Sequence, residues 1–469
     1  MKISVVGTGY VGLVSGVCLA ELGHTVICVD VDEVKIDQIN KGVAPIYEKG
    51  LDDLLKRNVG LRLTATANLL EAVHATDLSL IAVGTPFNGQ TIDLSYICQV
   101  SEKIGHALQT KSTYHVVVVK STVVPGTTDC VVIPLLEKTS GKRAGIDFGV
   151  GMNPEFLREG DAVVDFMSPD RIVLGAVDAR SLACLEELYA PLNAAEILPT
   201  NPKTAEMIKY TANSLLATMI SFSNEIGNLC KETGGVDVTE VMKGVHLDKR
   251  LSPILPDGSR IVPSFTDYLA AGCGFGGSCF PKDVKAFISY GKALGQPMRI
   301  LQSVVKVNEA QPVQMIAMLE KHFPSLSGIS ITVLGLAFKP GTDDIRESPA
   351  IPVVRVLIDR GARLTVFDPV AQNEARKLFG DAVRYATSLD EALEASEAVL
   401  VLTRWDIFAD LPTKIRAMHP QPLVVDGRRM LNKNDFDRYE GIGFDGGPVD
   451  RKFPERISCI IKNAKLRVA

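Results

Sequence analysis

The fold is decided by the stretch Ile3-Ser-Val-Val-Gly-Thr-Gly-Tyr-Val-Gly12. Its first four residues predict a buried strand, and the run from Leu13 to Leu22 predicts a helix that ends at Gly23. A second strand is predicted from Thr25 to Val29. Strand, glycine-rich loop, helix and strand in this order predict a βαβ unit, from which parallel sheets are built.

The spacing G-x-G-x-x-G in this context predicts a dinucleotide site. Gly7 allows a tight turn, Gly9 lets a pyrophosphate approach the backbone, and Gly12 lets the helix pack closely on the strand. Tyr10 and Val11 stand at the start of the helix, whose N-terminus stabilises negative charge. We therefore include all five residues in the predicted cofactor site.

An acid at the end of the second strand indicates which dinucleotide is bound. Asp30 is expected to accept hydrogen bonds from ribose hydroxyls and to repel a 2′-phosphate, which favours NAD over NADP. Lys35 follows in the next helical turn, where it is either a second contact on the adenosine side or a solvated lysine.

The remaining patterns predict the organisation of the whole chain. Strand signals at 78–83 and 116–119 extend the first sheet, and the region 204–320 is mainly helical. From Ser330 the opening pattern returns, but Gly335-Leu-Ala-Phe-Lys339 lacks the glycine set. The second copy is therefore expected to bind something other than a second dinucleotide.

The predicted fold class is α/β, with two Rossmann-like, doubly wound parallel-sheet domains joined by a helical connector that contains a long central helix. The predicted domains are an NAD-binding domain over 1–200, a central helical dimerisation domain with the cysteine loop over 201–325, and a nucleotide-sugar domain over 326–469.

Composition excludes several classes of function. The 469 residues carry a net charge of −5 and show no dense Lys/Arg cluster, which disfavours nucleic-acid or membrane-surface binding. The sequence contains neither an apolar run of about 18 to 20 residues nor a signal-peptide pattern at its start, so we expect a cytoplasmic location. The nine scattered cysteines indicate reduced thiols, eight of which are expected to be packing residues.

Cys279 is the exception among the cysteines. A glycine-rich run, Gly272 to Gly277, delivers it to the start of a predicted helix and next to Lys282. A helix N-terminus and a neighbouring cation both favour the thiolate form, which is the nucleophile. Cys273 is too far along the chain from Cys279 for a zinc pair, and the histidines lie elsewhere, so we predict no metal site.

A nicotinamide cofactor together with a nucleophilic cysteine indicates a two-step oxidation. A thiolate can add to an aldehyde, the resulting thiohemiacetal can lose hydride, and water can hydrolyse the thioester to a carboxylate. The first step needs a group that handles the alcohol proton. Lys209 and Asn213, one helical turn apart on the long middle helix, are candidates for this role; the alternative for Lys209 is an ordinary solvated lysine.

Seven motifs in the sequence carry a resemblance to a known family. They are Gly7-Thr-Gly-Tyr-Val-Gly12, Val83-Gly-Thr-Pro86, Ser121-Thr-Val-Val-Pro-Gly126, Asn153-Pro-Glu-Phe-Leu-Arg-Glu-Gly160, Glu206-Met-Ile-Lys-Tyr-Thr-Ala-Asn213, Gly276-Gly-Ser-Cys-Phe-Pro-Lys-Asp283 and Phe338-Lys-Pro-Gly-Thr-Asp-Asp-Ile-Arg-Glu-Ser-Pro349. In identity and in order along the chain, they resemble the UDP-glucose/GDP-mannose dehydrogenase family. The resemblance implies a homodimer or larger homo-oligomer that oxidises UDP-glucose to UDP-glucuronate with two NAD.

The resemblance also implies roles for individual residues. Cys279 would be the nucleophile, Lys209, Asn213 and Asp283 would surround the reacting carbon, and Thr122 and Glu155 would hold water or act as base. Further NAD contacts would be Thr85, Thr122, Glu159, Lys282 and Arg346. The nucleotide sugar would contact Glu155, Phe156, Leu157, Arg158, Glu159, Lys209, Asn213, Tyr268, Leu269, Gly272, Gly276 and Lys339.

Some alternatives stay open at the level of sequence. GDP-mannose or a UDP-N-acetylhexosamine could replace UDP-glucose, and a single-step hydroxyacid dehydrogenase or a binding protein without catalysis would share the fold. Residues 251–267 look like an insertion relative to the family pattern. Either Arg250 or Arg260 would then reach the substrate of the neighbouring subunit.

Overall fold

The computed structural model describes residues 1–445, which form two compact units. The first unit comprises Met1–Asn213 with Lys282–Pro297, and the second comprises Ser214–Pro281 with the chain from Met298 onward. The predicted three-part division, with boundaries at residues 200 and 325, stays a prediction.

An eight-stranded sheet forms the centre of the first unit. Its strands are β1 (Lys2–Val6), β2 (Thr25–Val29), β3 (Leu63–Thr66), β4 (Leu78–Ile81), β5 (Val116–Val119), β6 (Gly149–Met152), β7 (Arg171–Ala176) and β8 (Glu196–Thr200). They lie in the order β3-β2-β1-β4-β5-β6-β7-β8, and only β6 and β7 pair antiparallel. The first six strands follow the order of dinucleotide-binding folds, so the predicted parallel sheet is confirmed.

Helices cover this sheet. They are α1 (Tyr10–Glu21), α2 (Glu33–Asn40), α3 (Leu51–Asn58), α4 (Leu69–Ala75), α5 (Ser95–Thr110), α6 (Ile133–Ser140), α7 (Ala162–Met167) and α8 (Ala179–Tyr189). The run Gly12–Ala20 of α1 is buried throughout, as expected for a helix that is apolar on every side. The all-valine strand β5 is likewise buried on both faces.

The middle of the chain is helical, as predicted. It contains α9 (Pro202–Thr233), α10 (Val238–His246), α11 (Phe280–Ala293) and α12 (Arg299–Glu320). The 32-residue helix α9 is the predicted long central helix. In the part of the chain that the structure describes, no helix combines the length and apolar character that a membrane span requires.

The second unit repeats the topology of the first. Its strands are β9 (Ser330–Leu334), β10 (Arg363–Phe367), β11 (Arg384–Tyr385), β12 (Ala398–Val401), β13 (Leu423–Asp426) and β14 (Tyr439–Gly441). They lie in the order β11-β10-β9-β12-β13-β14, all parallel, which repeats the order of β1 to β6 in the first sheet. Between the strands lie α13 (Ala350–Asp359), α14 (Gln372–Phe379), α15 (Leu389–Leu393) and α16 (Leu411–Arg416). The predicted fold class, with two Rossmann-like sheets, is confirmed.

Four of the cysteines predicted to be packing residues are buried: Cys18, Cys28, Cys230 and Cys273. No disulfide joins the eight cysteines in residues 1–445, and burial raises the pKa of the Cys18 and Cys28 thiols to about 12. Cys130 is exposed, so the prediction that it packs in the core is wrong; it lies in the short helical turn Thr128–Val132. Cys459 lies outside the described residues.

Candidate active site

The glycine loop after β1 has two glycines fixed by packing and one that faces open space. Gly7 has a φ of +97°, and a Cβ there would lie 2.8 Å from the carbonyl oxygen of Ala82. A Cβ on Gly12 would lie 1.8 Å from the Gly7 oxygen, whereas one on Gly9 would meet nothing within 4 Å. No contact with residues 1–445 therefore requires glycine at position 9, which fits a backbone that a pyrophosphate approaches.

We expect Gly9→Ala and Gly12→Ala to separate cofactor binding from folding. Gly12→Ala should cost about 1 to 3 kcal/mol of unfolding free energy, because its methyl group has no room. Gly9→Ala should change stability by less than about 1 kcal/mol, yet weaken NAD binding at least about tenfold. Thermal unfolding and calorimetric titration with NAD measure both quantities. Unchanged NAD affinity in Gly9→Ala would remove this loop from the cofactor site.

The N-terminus of α1 is suited to an anion. Gly9 is the N-cap, it supplies no side-chain cap, and the first turn of the helix contains no acidic residue. The first amide groups of the helix, on Tyr10 and Val11, therefore remain available to phosphate oxygens.

Asp30 follows β2 and is bonded to the glycine loop. Thr8 donates its backbone N–H (2.7 Å) and its hydroxyl (2.5 Å) to Oδ2 of Asp30. Partial burial opposes the charge, but these bonds and nearby Lys35 hold the pKa of Asp30 below its usual value. Asp30 is half-buried and ionised, as binding of ribose hydroxyls requires.

The acid that corresponds to Asp30 in the second unit is buried and hydrogen-bonded. Asp368, after β10, is 1% exposed and accepts hydrogen bonds from the backbone of Leu336 and Ala337 and from the indole of Trp405. Trp405 occupies one side of this carboxylate, so ribose hydroxyls have no access from that side. This geometry agrees with the expectation that the second sheet binds no second dinucleotide.

Thr85 and Thr122 are joined near the ends of β4 and β5. The buried Thr85 hydroxyl donates to the carbonyl of Thr122 at 2.7 Å. Ser121 donates to the carbonyls of Ile81 and Val83, which ties the same two loops together. The structure thus brings these two predicted cofactor residues to one edge of the sheet, where ligands of open α/β sheets bind.

A buried ion pair forms between two predicted catalytic residues. Nζ of Lys209, on α9, lies 2.9 Å from Oε1 of Glu155, and both side chains are about 5% exposed or less. Burial opposes ionisation of Glu155, yet Lys209 and the backbone N–H of Leu157 lower its pKa on balance. The solvated alternative for Lys209 is therefore wrong: this lysine is buried beside a carboxylate and over the ring of Phe156.

Lys120 belongs to the same buried cluster and was not predicted. Its Nζ donates to Asn153 Oδ1 (2.9 Å) and to the Tyr189 hydroxyl (3.3 Å). Complete burial lowers the pKa of Lys120 to about 8, while Glu155 raises it and Lys209 lowers it. The sequence signal that could have indicated this buried lysine is its position directly after the four valines of β5.

A second polar cluster joins α9 to α11. Asn213 donates its amide to Oδ2 of Asp283 at 2.6 Å, and Lys282 donates to Oδ1 of the same carboxylate at 2.6 Å. Asp283 and Asn213 are buried. Asp283 is thus held between an amide and an ammonium group, in the first turn of α11 and four positions after Cys279 in the sequence.

Glu48 holds the loop that contains residues 155–160 and was also missed. Its buried carboxylate accepts the backbone N–H groups of Gly160 (2.7 Å) and Ala162 (2.9 Å) and the hydroxyl of Tyr10. Burial raises the pKa of Glu48 despite these donors. The side chain of Tyr10 therefore links the glycine loop to the loop of Glu155.

The other predicted residues of this loop differ in their surroundings. Phe156 packs under Arg171, and Glu159 is buried. Arg158 forms an ion pair with Asp165 at 2.6 Å, with its side chain 60% exposed. The structure gives the Arg158 side chain this contact with Asp165, and its role toward substrate stays a prediction.

Glu206, one turn before Lys209, fixes the loop after Thr122. It is fully buried and accepts the backbone N–H groups of Gly126 (2.5 Å) and Thr128 (2.8 Å), together with the Thr128 hydroxyl. Burial outweighs these bonds and raises the pKa of Glu206 to about 7.

The raised pKa of Glu206 predicts a stability that decreases toward alkaline pH. The folded state holds this proton more tightly than the unfolded chain, so the contribution is complete below about pH 4.5 and is lost as pH rises through 7. The loss amounts to roughly 3 kcal/mol. The free energy of unfolding, measured with urea, should differ between pH 5 and pH 8 by about that much less in Glu206→Gln than in the unmodified protein. An identical difference in both proteins would contradict the assignment.

The loop that carries Cys279 is clamped by side-chain amides of the second unit. Gly272 donates to Asn224 on α9 and accepts from Gln311 on α12, both at 2.8 Å. Asn308 bonds both backbone groups of Phe275. The amides were not predicted, because no spacing rule links them to a loop so distant in sequence.

Glycine is required at two positions just before Cys279. A Cβ on Gly276 would lie 2.2 Å from the backbone carbonyl oxygen of Glu347. Gly277 has a φ of +87°, its N–H donates to the Arg346 carbonyl at 2.9 Å, and the Phe338 ring fills the space beside it. The loop therefore packs on the motif that contains Lys339 and Arg346. Cys279 is half-buried, with Sγ 3.5 Å from the Ser278 hydroxyl.

Two arginines are candidates for contact with a neighbouring subunit, Arg250 just before the inserted segment and Arg260 within it, and their environments differ. Arg250 forms an exposed ion pair with Asp248, and 86% of its side chain is accessible. Arg260 donates from Nη1 to the carbonyls of Leu247 (2.8 Å) and Ser252 (2.7 Å). Arg260 thus closes the base of a hairpin within its own chain, which favours Arg250 for a contact with a neighbouring subunit.

The fold and the glycine loop together define a class of protein, the α/β dehydrogenases that bind a dinucleotide on a parallel sheet. Comparison with known families narrows this class, because three family domains match in order: an NAD binding domain over residues 1–193, a central domain over 203–310 and a UDP binding domain over 332–433. The chain belongs to the UDP-glucose/GDP-mannose dehydrogenase family. This membership confirms the predicted enzyme class, an NAD-dependent nucleotide-sugar dehydrogenase, and NAD as its cofactor.

Individual relatives agree over most of the chain. UDP-glucose 6-dehydrogenase AglM from Haloferax volcanii is 44% identical and covers 94% of this chain and 100% of its own length. A GDP-mannose 6-dehydrogenase from Azotobacter vinelandii is 45% identical but covers 78% of this chain and 81% of its own. The solved structure of a UDP-glucose dehydrogenase from Pyrobaculum islandicum is 41% identical, with a TM-score of 0.85 over 95% of this chain and 98% of that chain.

Proposed function

We propose that the protein oxidises the C6 alcohol of UDP-glucose to the carboxylate of UDP-glucuronate and uses two NAD per sugar. The observation that carries this choice is similarity over almost the whole chain to relatives named UDP-glucose 6-dehydrogenase. The GDP-mannose relative is about as similar in identity, but its match covers less of the chain. A UDP binding domain in the second unit supports the same choice.

The proposed chemistry uses Cys279 as a covalent catalyst. NAD accepts a hydride in each of the two oxidations when it is bound. The alcohol first loses its proton and a hydride and becomes an aldehyde, and the Cys279 thiolate adds to the aldehyde carbon. Loss of the second hydride leaves a thioester, and water displaces the thiolate to give the carboxylate. Cys279 is thereby regenerated for the next turnover.

The buried cluster of the first unit supplies the groups for proton transfer and charge stabilisation. Glu155, kept ionised by Lys209, is suited to accept the alcohol proton, directly or through a water held by Thr122. Lys209 and Asn213 would stabilise the negative oxygen that forms when sulfur or water adds to the carbonyl carbon. Asp283, fixed by Asn213 and Lys282, would orient the hydrolytic water.

The binding sets follow the sequence predictions and remain part of this proposal. NAD would contact the glycine loop, Asp30 and Lys35, together with Thr85, Thr122, Glu159, Lys282 and Arg346. The nucleotide sugar would contact the loop 155–159, Lys209 and Asn213, the segment from Tyr268 to Gly272, Gly276 and Lys339, with Arg250 from a neighbouring subunit. A cytoplasmic location also stays a prediction.

A panel of nucleotide sugars tests the substrate. The full-length protein is incubated with NAD and, separately, UDP-glucose, GDP-mannose, UDP-N-acetylglucosamine and UDP-N-acetylmannosamine, and kcat/KM is measured from NADH formation. We expect UDP-glucose to exceed each of the others by at least about a hundredfold, since a mismatched polar group in a buried site is costly. Higher kcat/KM for GDP-mannose or an N-acetylhexosamine would overturn the assignment.

We also infer a homodimer through α9. Leu215, Phe222 and Leu229 recur every seven residues on one side of this helix, and each is more than half exposed. An apolar stripe with this spacing is typical of helices that pair. Phe222→Asp should shift the mass measured by light scattering from that of a dimer toward that of one chain, while an unchanged mass would contradict this interface.

A further inference from the structure

A cleft of about 320 Å³ lies within the second unit, beside α10. We call it the α10 cleft. One wall is α10 itself, another is the inserted segment with Ser252, Arg260 and Val262, and the remainder comes from residues 269–271, Arg404 and Arg429. Its volume is at the lower end of the range for small-molecule sites, and corresponds to a ligand of about mononucleotide size.

Three buried polar atoms without a hydrogen-bond partner in residues 1–445 belong to residues that line this cleft. They are Nε2 of His246, Oγ of Ser252 and Nε of Arg429. Ser252 is 1% exposed and the Arg429 side chain 6%. Residues 1–445 contain nine such atoms, and a third of them therefore belong to residues that line one small cleft.

Unpartnered polar atoms of this kind are unfavourable in a folded protein. Each loses its hydrogen bonds to water on burial, and native structures pair the great majority of them. Both terminal nitrogens of Arg429 have partners within the chain, since Nη2 bonds both oxygens of Asp237 and Nη1 bonds the Ile442 carbonyl. A ligand that reaches these atoms from the cleft would supply the partners that residues 1–445 do not.

The lining of the cleft indicates the chemistry of that ligand. The ionisable residues along it are all basic: Lys243, His246, Arg260, Arg404 and Arg429. Apolar side chains, among them Val238, Met242 and Val262, form the rest of the surface. Basic groups select phosphate oxygens, and an apolar wall accepts a flat base.

We propose that the α10 cleft binds a nucleoside monophosphate, or the equivalent part of a larger nucleotide, as a site additional to the NAD and sugar sites. Of the residues proposed for those two sites, only the stretch 269–271 lines the cleft. The inserted segment gains a role in this way, because it contributes Ser252 and Arg260 to the wall. The inference does not depend on which sugar the enzyme oxidises.

Calorimetry with both other sites filled tests the proposal. AMP, GMP and UMP are titrated separately into the full-length protein saturated with UDP-glucose and NADH, a pair that cannot turn over. We expect at least one of these nucleotides to bind with one equivalent per chain. The double variant Ser252→Ala/His246→Phe should weaken this binding at least about tenfold, since two hydrogen bonds to the ligand are removed.

Matched controls separate binding from folding and from catalysis. Ser252→Ala alone should leave the melting temperature unchanged or raise it, because the hydroxyl has no partner among the described residues. Ser259→Ala, on the exposed tip of the same hairpin, should bind the nucleotide like the unmodified protein. Both variants should retain kcat/KM for UDP-glucose.

Three results would overturn the proposal. The first is that none of the three nucleotides binds at millimolar concentration. The second is that the double variant binds as tightly as the unmodified protein. The third is that kcat/KM for UDP-glucose falls by the same factor as nucleotide affinity, because the cleft would then be part of the sugar site. Failure of UDP-glucose turnover alone would instead defeat the proposed function.

Discussion

Cys279→Ser is expected to reduce the formation of uronate by at least about a thousandfold, because an alcohol oxygen at this position is a far weaker nucleophile than a thiolate. The loop around Cys279 is fixed by Asn224, Asn308 and Gln311 and by the glycines packed on Phe338 and Glu347. These contacts do not involve the sulfur atom, so the loop should keep its conformation in the variant. Binding of NAD and UDP-glucose, measured by calorimetry, should therefore change by less than about threefold.

Cys130→Ser is the matched control for this variant. Cys130 is the exposed thiol of the first unit and belongs to none of the proposed sites. The Cys130→Ser variant should retain full activity. A Cys279→Ser protein that forms uronate at the rate of the unmodified enzyme would exclude a thioester on this residue.

Lys209→Met is expected to impair both catalysis and folding. The substitution leaves the Glu155 carboxylate buried without the cation of its ion pair. Removal of one member of a buried ion pair lowers the free energy of unfolding by about 3 to 5 kcal/mol. The pKa of Glu155, lowered by Lys209 in the native protein, should rise, and the carboxyl group would then be a poorer base at neutral pH. We expect kcat to fall by about 100- to 1,000-fold.

Lys203→Met, on the same helix, provides the comparison. Lys203 forms a loose pair with Asp129 at 3.8 Å, and 55% of its side chain is exposed. Exposed pairs of this kind contribute at most about 1 kcal/mol, so Lys203→Met should lose little stability and no activity. Equal losses of unfolding free energy in both variants would mean that the buried Lys209–Glu155 pair stabilises the protein no more than an exposed pair. The quantities to compare are the urea midpoint and kcat.

The sequence was informative where local pattern determines structure. Gly7, Gly12 and Asp30 occupy the places that the motif predicts, because a βαβ unit forms from neighbouring residues. Strand and helix positions were predicted to within a few residues for the same reason. The repeat of the strand order in the second sheet was visible in the apolar strands and the acid after β10.

Features that depend on long-range packing could not be predicted. Lys120 and Glu206 are charged side chains in the interior, and their shifted pKa values arise from burial that no local pattern reveals. Glu48 binds a loop more than a hundred residues away in sequence. The exposure of Cys130 was missed because its neighbours Val131 and Val132 suggested a buried position.

The most direct test of the proposed chemistry is the number of NADH formed per UDP-glucose consumed, measured in ¹⁸O-labelled water with the unmodified enzyme. Oxidation through a Cys279 thioester predicts two NADH per sugar, with UDP-glucuronate as the sugar product and one labelled oxygen in its carboxylate. One NADH per sugar, with an aldehyde as the product, would contradict the account.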